Sequence, residues 1–270
     1  MQTLKSLKID YILDGKPRTT TVLDGQTACL EDVNTIDPPP TARTQRAANG
    51  DVMLEAWQNG MYELKTASGR KLRCKLDGIS PAQRIEGPWT VCFPTNAGEV
   101  GSVKLDKLIS WSESADFGVK YFSGTATYQT TFRISPEALA AGHAVYIDLG
   151  KVAVIAHVSL NGRDLGILWK SPFRVEATQA LHPGENLLEV KVANLWPNRM
   201  IGDAQLPEDS ERDPNGQLKS WPKWLMEGKP SPSGRHTFAT YNVWKKDSPL
   251  QESGLLGPVT LQTVARITVQ

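Results

Sequence analysis

One stretch of the chain concentrates side chains that could do chemistry. After the strand-like run ending at Ala193 come Arg199 and Asp203, the acids Glu208, Asp209, Glu211, Asp213 and Glu227, and the aromatics Trp221, Trp224 and Trp244. Arg235, His236 and Lys246 lie among them. Two chemistries suit such a set. A pair of carboxyl groups about 5–10 Å apart could cleave a glycosidic bond. Aromatic rings flanked by Arg, His, Lys and Asp could instead hold a sugar. The ring covers an apolar C–H face with a large contact area at low entropic cost, and the polar groups take the hydroxyls.

Each reading has a structural counterpart. The segment from Glu208 to Asp213 reads equally as a solvated charge cluster. Asp203, in a tight segment after Gly202, could pair with Arg199 as a salt bridge rather than serve as an acid. Trp196, at the end of a core strand, is expected to staple the loop that follows, and Trp221 and Trp224 could do the same. Pro222 and Lys223 separate those two rings, and residues three apart share one face of a helical turn, so both could be presented together. As a sugar site, the sequence offers Trp221 and Trp224 as platforms, with Arg199, Asp203, Arg235, His236 and Trp244 around them. No residue is assigned a catalytic role.

Other chemistries find little support. His143, His157, His182 and His236 have no ligand spacing, and His157 falls on the polar face of its strand. Cys29, Cys74 and Cys92 are odd in number and form no C-x-x-C pair, which argues against zinc. Cys74 and Cys92 are expected to be small buried hydrophobes. There is no G-x-S-x-G elbow, P-loop or G-x-G-x-x-G. The Ser-rich segments have no partnered His nearby in sequence. No cofactor is expected, and a structural calcium stays open.

The elements that must position these residues are strands. Leu188, Val190 and Val192 alternate with Glu189, Lys191 and Ala193, the period of a sheet with one buried face. Pro197 then ends ladder pairing. The loop from Trp196 to Arg235 runs for roughly 40 residues, far beyond the usual 12 to 15, which points to a functional role. Its Trp and Leu content argues against disorder. Upstream, Ala126, Tyr128, Thr130, Phe132 and Ile134 share one strand face, as do Trp89, Val91 and Phe93. Asn161-Gly162 is a strong two-residue hairpin signal. Ser135, Pro136 and Gly142 bracket a short helix. Further strands are expected at 145–149, 155–160, 165–169, 173–177, 237–243 and 259–269. In the first third, runs at 7–13, 52–57, 61–66 and 71–76 are separated by Asp14-Gly15, Asn59-Gly60 and Ser68-Gly69 turns, with another turn at Asp24-Gly25. Residues 36–50, rich in Pro and poor in apolar side chains, read as a loop or linker.

Short strands, frequent turns and little helix predict an all-β fold: a jelly-roll β-sandwich over 84–270, preceded over 1–83 by a smaller β-unit that could be the tail of a larger domain. Of the 270 residues 40% are hydrophobic and 22% charged, enough to bury a core. A net charge of +1 argues against an electrostatic nucleic-acid binder. No apolar run approaches the roughly 18 residues of a membrane helix. The N-terminus lacks the apolar core of a signal peptide, so the chain is expected to be cytoplasmic or a mature or trimmed piece of something longer.

Two sets of motifs carry a family resemblance. Gly87-Pro88-Trp89, Tyr128–Phe132, Val158–Gly162, Pro172–Val175 and Leu181–Asn186 resemble the galactose-binding-like jelly-roll of glycoside hydrolase family 2 and its relatives. Lys120–Phe132, Asn194–Glu208, Trp221–Phe238 and Lys246–Val259 resemble the C-terminal region of glycoside hydrolase family 106, known for α-L-rhamnosidases acting on plant pectins and glycosides. The resemblance implies a non-catalytic carbohydrate-binding or structural accessory module, because the family's catalytic residues lie on a barrel domain absent here. The implied partners are a plant or pectic saccharide, or that missing catalytic domain. It further implies a parent protein working in the periplasm or outside the cell. The alternative is a self-sufficient hydrolase using the acids of 203–213.

Overall fold

The computed structural model describes residues 6–13, 16–23, 41–46, 51–65, 69, 71–94 and 101–269. The chain divides into two compact units, 1–38 and 39–270. In the first, β1 (Ser6–Leu13) and β2 (Lys16–Leu23) form an antiparallel pair in which Leu13 faces Lys16. The Asp14-Gly15 and Asp24-Gly25 turns and Cys29 lie outside the described residues, as does Ser68 of the Ser68-Gly69 turn.

The second unit is a β-sandwich. In chain order its strands are β3 (Ala42–Arg46), β4 (Val52–Ala56), β5 (Gly60–Lys65), β6 (Lys71–Leu76), β7 (Gln83–Arg84), β8 (Trp89–Cys92), β9 (Ser102–Leu105) and β10 (Thr125–Ile134). There follow β11 (His143–Asp148), β12 (Lys151–Ala153), β13 (Ile155–Leu160), β14 (Arg163–Leu168), β15 (Arg174–Glu176), β16 (Gly184–Ala193), β17 (Gly254–Gly257) and β18 (Thr260–Val269). One sheet runs in the order β14-β13-β16-β10-β8-β9. The other runs β15-β11-β18-β4-β3, with β7 also on β18. Every ladder in both is antiparallel.

Period-two alternation supplies the core. Ala126, Tyr128, Phe132 and Ile134 of β10 and Leu188, Val190 and Val192 of β16 point inward from one sheet, Val145, Ile147 and Leu261 from the other. An antiparallel sheet that faces water on one side needs this inside–outside alternation. Trp111 stacks on Tyr128, its Nε1 donating to the Tyr128 hydroxyl at 2.5 Å, and the Leu255 amide donates to the same oxygen. Gly254 (φ +102°) makes that approach possible, since a Cβ there would sit 2.6 Å from both Trp111 Nε1 and the Tyr128 hydroxyl. Asn161 (φ +52°) and Gly162 (φ +78°) close the β13–β14 hairpin as their sequence predicts.

The structure departs from expectation in several places. Within the stretch read as a linker, 42–46 form β3, whose side chains are half-buried at most; pairing to β4 rather than apolar patterning makes it a strand. β4 in turn pairs with β18, Ala56 against Ala265, so strands far apart in sequence share one sheet. Residues 237–243 form no strand and carry one isolated bridge, Gln217 to Tyr241. Strands β9, β12 and β17 were not expected. Cys92 is exposed because Trp89 and Val91 occupy the inward positions of β8, and Cys74 is half-buried.

Candidate functional site

The long loop grows out of the end of β16 and is stitched to the sandwich at its base. Asn194 accepts from the Gly124 amide at 3.0 Å and donates to Phe122 O. The two short helices at the base are α1 (Phe117–Lys120) and α2 (Pro197–Asp203). Asn198 donates to Gln251 O at 2.7 Å and accepts from the Gln251 amide at 2.8 Å, and also donates to Ser253 Oγ. The Ser253 amide donates to Ser110 Oγ. Departing and returning strands are thus tied through one buried polar node. Gly202 lets α2 lie close to Tyr121, since a Cβ would meet that residue's Cβ at 2.6 Å.

Most charged residues of the loop hold it together. Arg199 Nη2 and Asp203 Oδ1 pair at 3.0 Å with side chains 8% and 3% exposed. Asp203 Oδ2 accepts from the His236 amide, the Thr237 amide and the Thr237 hydroxyl. Arg235 donates to Pro207 O and Leu206 O, and Arg212 to Gly216 O and Ala239 O. Glu208 lies 3.6 Å from both Arg212 and Arg235 and accepts from Asn242. Asp209 accepts from the hydroxyls of Ser210, Ser231 and Ser233. Burial pushes its carboxyl up, but the three serines, with Arg235 nearby, outweigh this and hold it below the usual aspartate range. Asp213 accepts from the Asn215 and Gln217 amides, and Glu227 pairs with Lys229 at 2.7 Å. Glu211 is exposed.

Two clefts lie on this face. The larger, about 790 Å³, is lined by Asp203, Arg235 and Trp244 of the expected site, and also by Glu208, Tyr241, Lys245 and Lys246. The smaller, about 510 Å³, is lined by Trp221 and again by Tyr241. α3 (Lys223–Met226) carries Trp224, which meets Phe238 edge-on at 6.0 Å and donates through Nε1 to Asp209 O. Trp221 leans on the same Phe238 at 5.7 Å yet stays 58% exposed. The two tryptophans therefore share one support, with Trp224 anchored and Trp221 open. His236 is exposed and Arg199 buried, and neither lines a cleft. Trp196, expected to staple the loop, is 64% exposed; the neighbouring Asn194 and Asn198 make the ties instead.

Tyr241, which borders both clefts, lies in a segment that the sequence predicts as a strand, so its type gives no sign of the site. The types of Ser253 and Asn198 alone likewise do not reveal a buried node. Among the described residues no group of three His, Cys, Asp or Glu side chains is placed to hold a metal ion. No described helix is long and apolar enough to cross a membrane.

No protein-family model matches the chain. A protein of Formosa agariphila, provisionally named as a β-glucuronidase, is 38% identical over 260 residues, which is 96% of this chain and 22% of that protein. Among solved structures, a rhamnosidase from Novosphingobium sp. PP1Y aligns with a TM-score of 0.55 at 27% identity, covering 82% of this chain and 22% of that one. A β-glucuronidase from Bifidobacterium dentium aligns over 71% of this chain and 31% of that one at 20% identity, with a TM-score of 0.46. The relatives are glycoside hydrolases, and the chain spans about a fifth of the length of the first two.

Proposed function

We propose that this chain is a non-catalytic accessory β-sandwich of an α-L-rhamnosidase-like glycoside hydrolase, with the long-loop face as its carbohydrate-binding surface. One observation carries the reading: Asp203, Glu208, Asp209 and Asp213 are each committed to bonds that hold the loop's shape. Glycoside hydrolysis needs two carboxyl groups across an open gap, one of them holding a transferable proton. Carboxylates engaged in this way suit a scaffold better than acid–base work. The match to about a fifth of two longer relatives supports a module within a larger enzyme. The galactose-binding-like jelly-roll assignment and membership of family 106 belong to the same proposal, as does action of the parent on plant or pectic saccharides outside the cytoplasm.

The test is hydrolysis of an aryl α-L-rhamnoside and a panel of other aryl glycosides by the 270-residue chain. The expected result is no turnover. Turnover abolished by Glu208→Gln, in a variant that keeps the wild-type melting temperature, would establish the self-sufficient hydrolase instead.

A second reading has its own observation. Ile155, Ile167 and Trp169 stand exposed on β13 and at the end of β14, with Trp169 66% exposed. Exposed apolar clusters often mark protein interfaces, and this favours a structural role against the remainder of a longer chain.

A further inference from the structure

The two clefts meet at Tyr241, which is half-exposed and lines both. Trp221 lines one and Trp244 the other, so three aromatic residues are distributed over the two clefts. Aromatic residues in two clefts that share one lining residue suit an oligomer rather than a single sugar, because each ring can cover one apolar face. The charged groups along this path differ in how far they are already engaged. Every acidic residue that lines it already has partners: Asp203 with Arg199, Glu208 with Arg212 and Arg235, Asp209 with its serines, Asp213 with backbone amides. Lys245 and Lys246 line the larger cleft, Lys219 the smaller, and all three are exposed. Among the described residues none of these lysines has a carboxylate within ion-pair distance. The hydrogen bonds of Asp209 and Asp213 leave their charges in place, but these acids are engaged within the loop, while the ammonium groups of Lys219, Lys245 and Lys246 stay open to pair with a ligand's carboxylates.

We propose that this groove takes an acidic oligosaccharide, one carrying uronate carboxylates, with Tyr241 at the junction of the clefts and Lys245 and Lys246 as the carboxylate partners. The inference rests on the carbohydrate-binding reading above and deepens it by naming the ligand's charge and the residues that read it. It also moves the centre of the site. Arg199, Asp203 and Arg235 become the frame that holds the loop, while Tyr241 and the lysines make the contact.

Calorimetry of the whole chain with short oligogalacturonates and with their methyl esters separates charge from sugar shape. The acid form is expected to bind about tenfold or more tightly than the ester. That preference should shrink as salt is raised, because exposed charges are screened. Lys245→Met with Lys246→Met should weaken binding of the acid about tenfold and leave the ester unchanged, and Tyr241→Ala should weaken both. These side chains are exposed, so the variants should melt as the wild type does, and the acid–ester comparison needs no variant at all. Equal binding of acid and ester would overturn the inference and leave the carbohydrate-binding reading standing. Equal binding of dextran sulfate, lost in the same lysine variant, would overturn it in favour of a surface for any polyanion. Absence of binding to any saccharide tried would overturn both.

Discussion

Arg199 and Asp203 illustrate how a residue that looks chemical can be structural. A carboxylate beside an arginine in a polar loop could be an acid, but burial of both side chains and three further bonds to one oxygen of Asp203 fix the pair in place. Removing one member leaves the other charge buried without compensation, at a cost of about 3–5 kcal/mol. Arg199→Met alone should lose that much in urea unfolding, and adding Asp203→Asn should restore part of it. Asp209 gives a pH prediction. Its folded pKa is lowered, so its stabilising contribution is present above the ordinary aspartate pKa and is lost as pH falls through the lower folded value. Ser231→Ala with Ser233→Ala removes two of the donors and should flatten the acid limb of the melting curve, lowering the melting temperature above the ordinary aspartate pKa and bringing it closer to wild type in acid. An unchanged acid limb would mean that the serines do not stabilise the carboxylate.

At the scale of elements, the loop behaves as a unit closed at its base by the node of Asn198, Gln251 and Ser253. Asn198→Ala leaves the Gln251 amide without its acceptor and the buried Ser253 hydroxyl without one of its donors, and an unsatisfied buried group costs about 1–3 kcal/mol. Hydrogen exchange should show early opening across 199–250 while β10 and β16 stay protected, since their ladder and core do not depend on the loop. Simultaneous loss of protection in both regions would make the node part of the global core. α3 depends on the same logic: Phe238 supports both Trp221 and Trp224, so the two rings are held together by a residue outside their own turn.

For the whole molecule, the ladder of β4 on β18 couples residue 56 to residue 265. A chain lacking residues 1–38 keeps the second unit whole and serves as the reference. Deleting 1–83 removes β3 and β4, opens the edge of β18 and uncovers Ala265, and should lower the melting temperature by several degrees. Equal stability of the two truncated chains would mean that the β4–β18 ladder contributes little.

The strand alternations of β8, β10, β13 and β16 and the Asn161-Gly162 hairpin were legible in the sequence, because side-chain period and turn conformation are local properties. The existence of a long, ordered, tryptophan-rich loop was legible for the same reason, as was the pairing of Asp203 with Arg199. Tertiary structure decided what locality cannot. β3 is a strand through its partner β4, and 237–243 lose strand form because their backbone is spent on Asp203, Arg212 and Gln217. Trp196 faces water while Asn194 and Asn198 are drawn inward, since a buried polar node needs donors and acceptors that an indole cannot supply. Residue type marks the arginines and Asp203 for a ligand, and only the fold shows that their side chains are also engaged in hydrogen bonds and ion pairs within the loop while Tyr241, Trp221 and the lysines stand exposed.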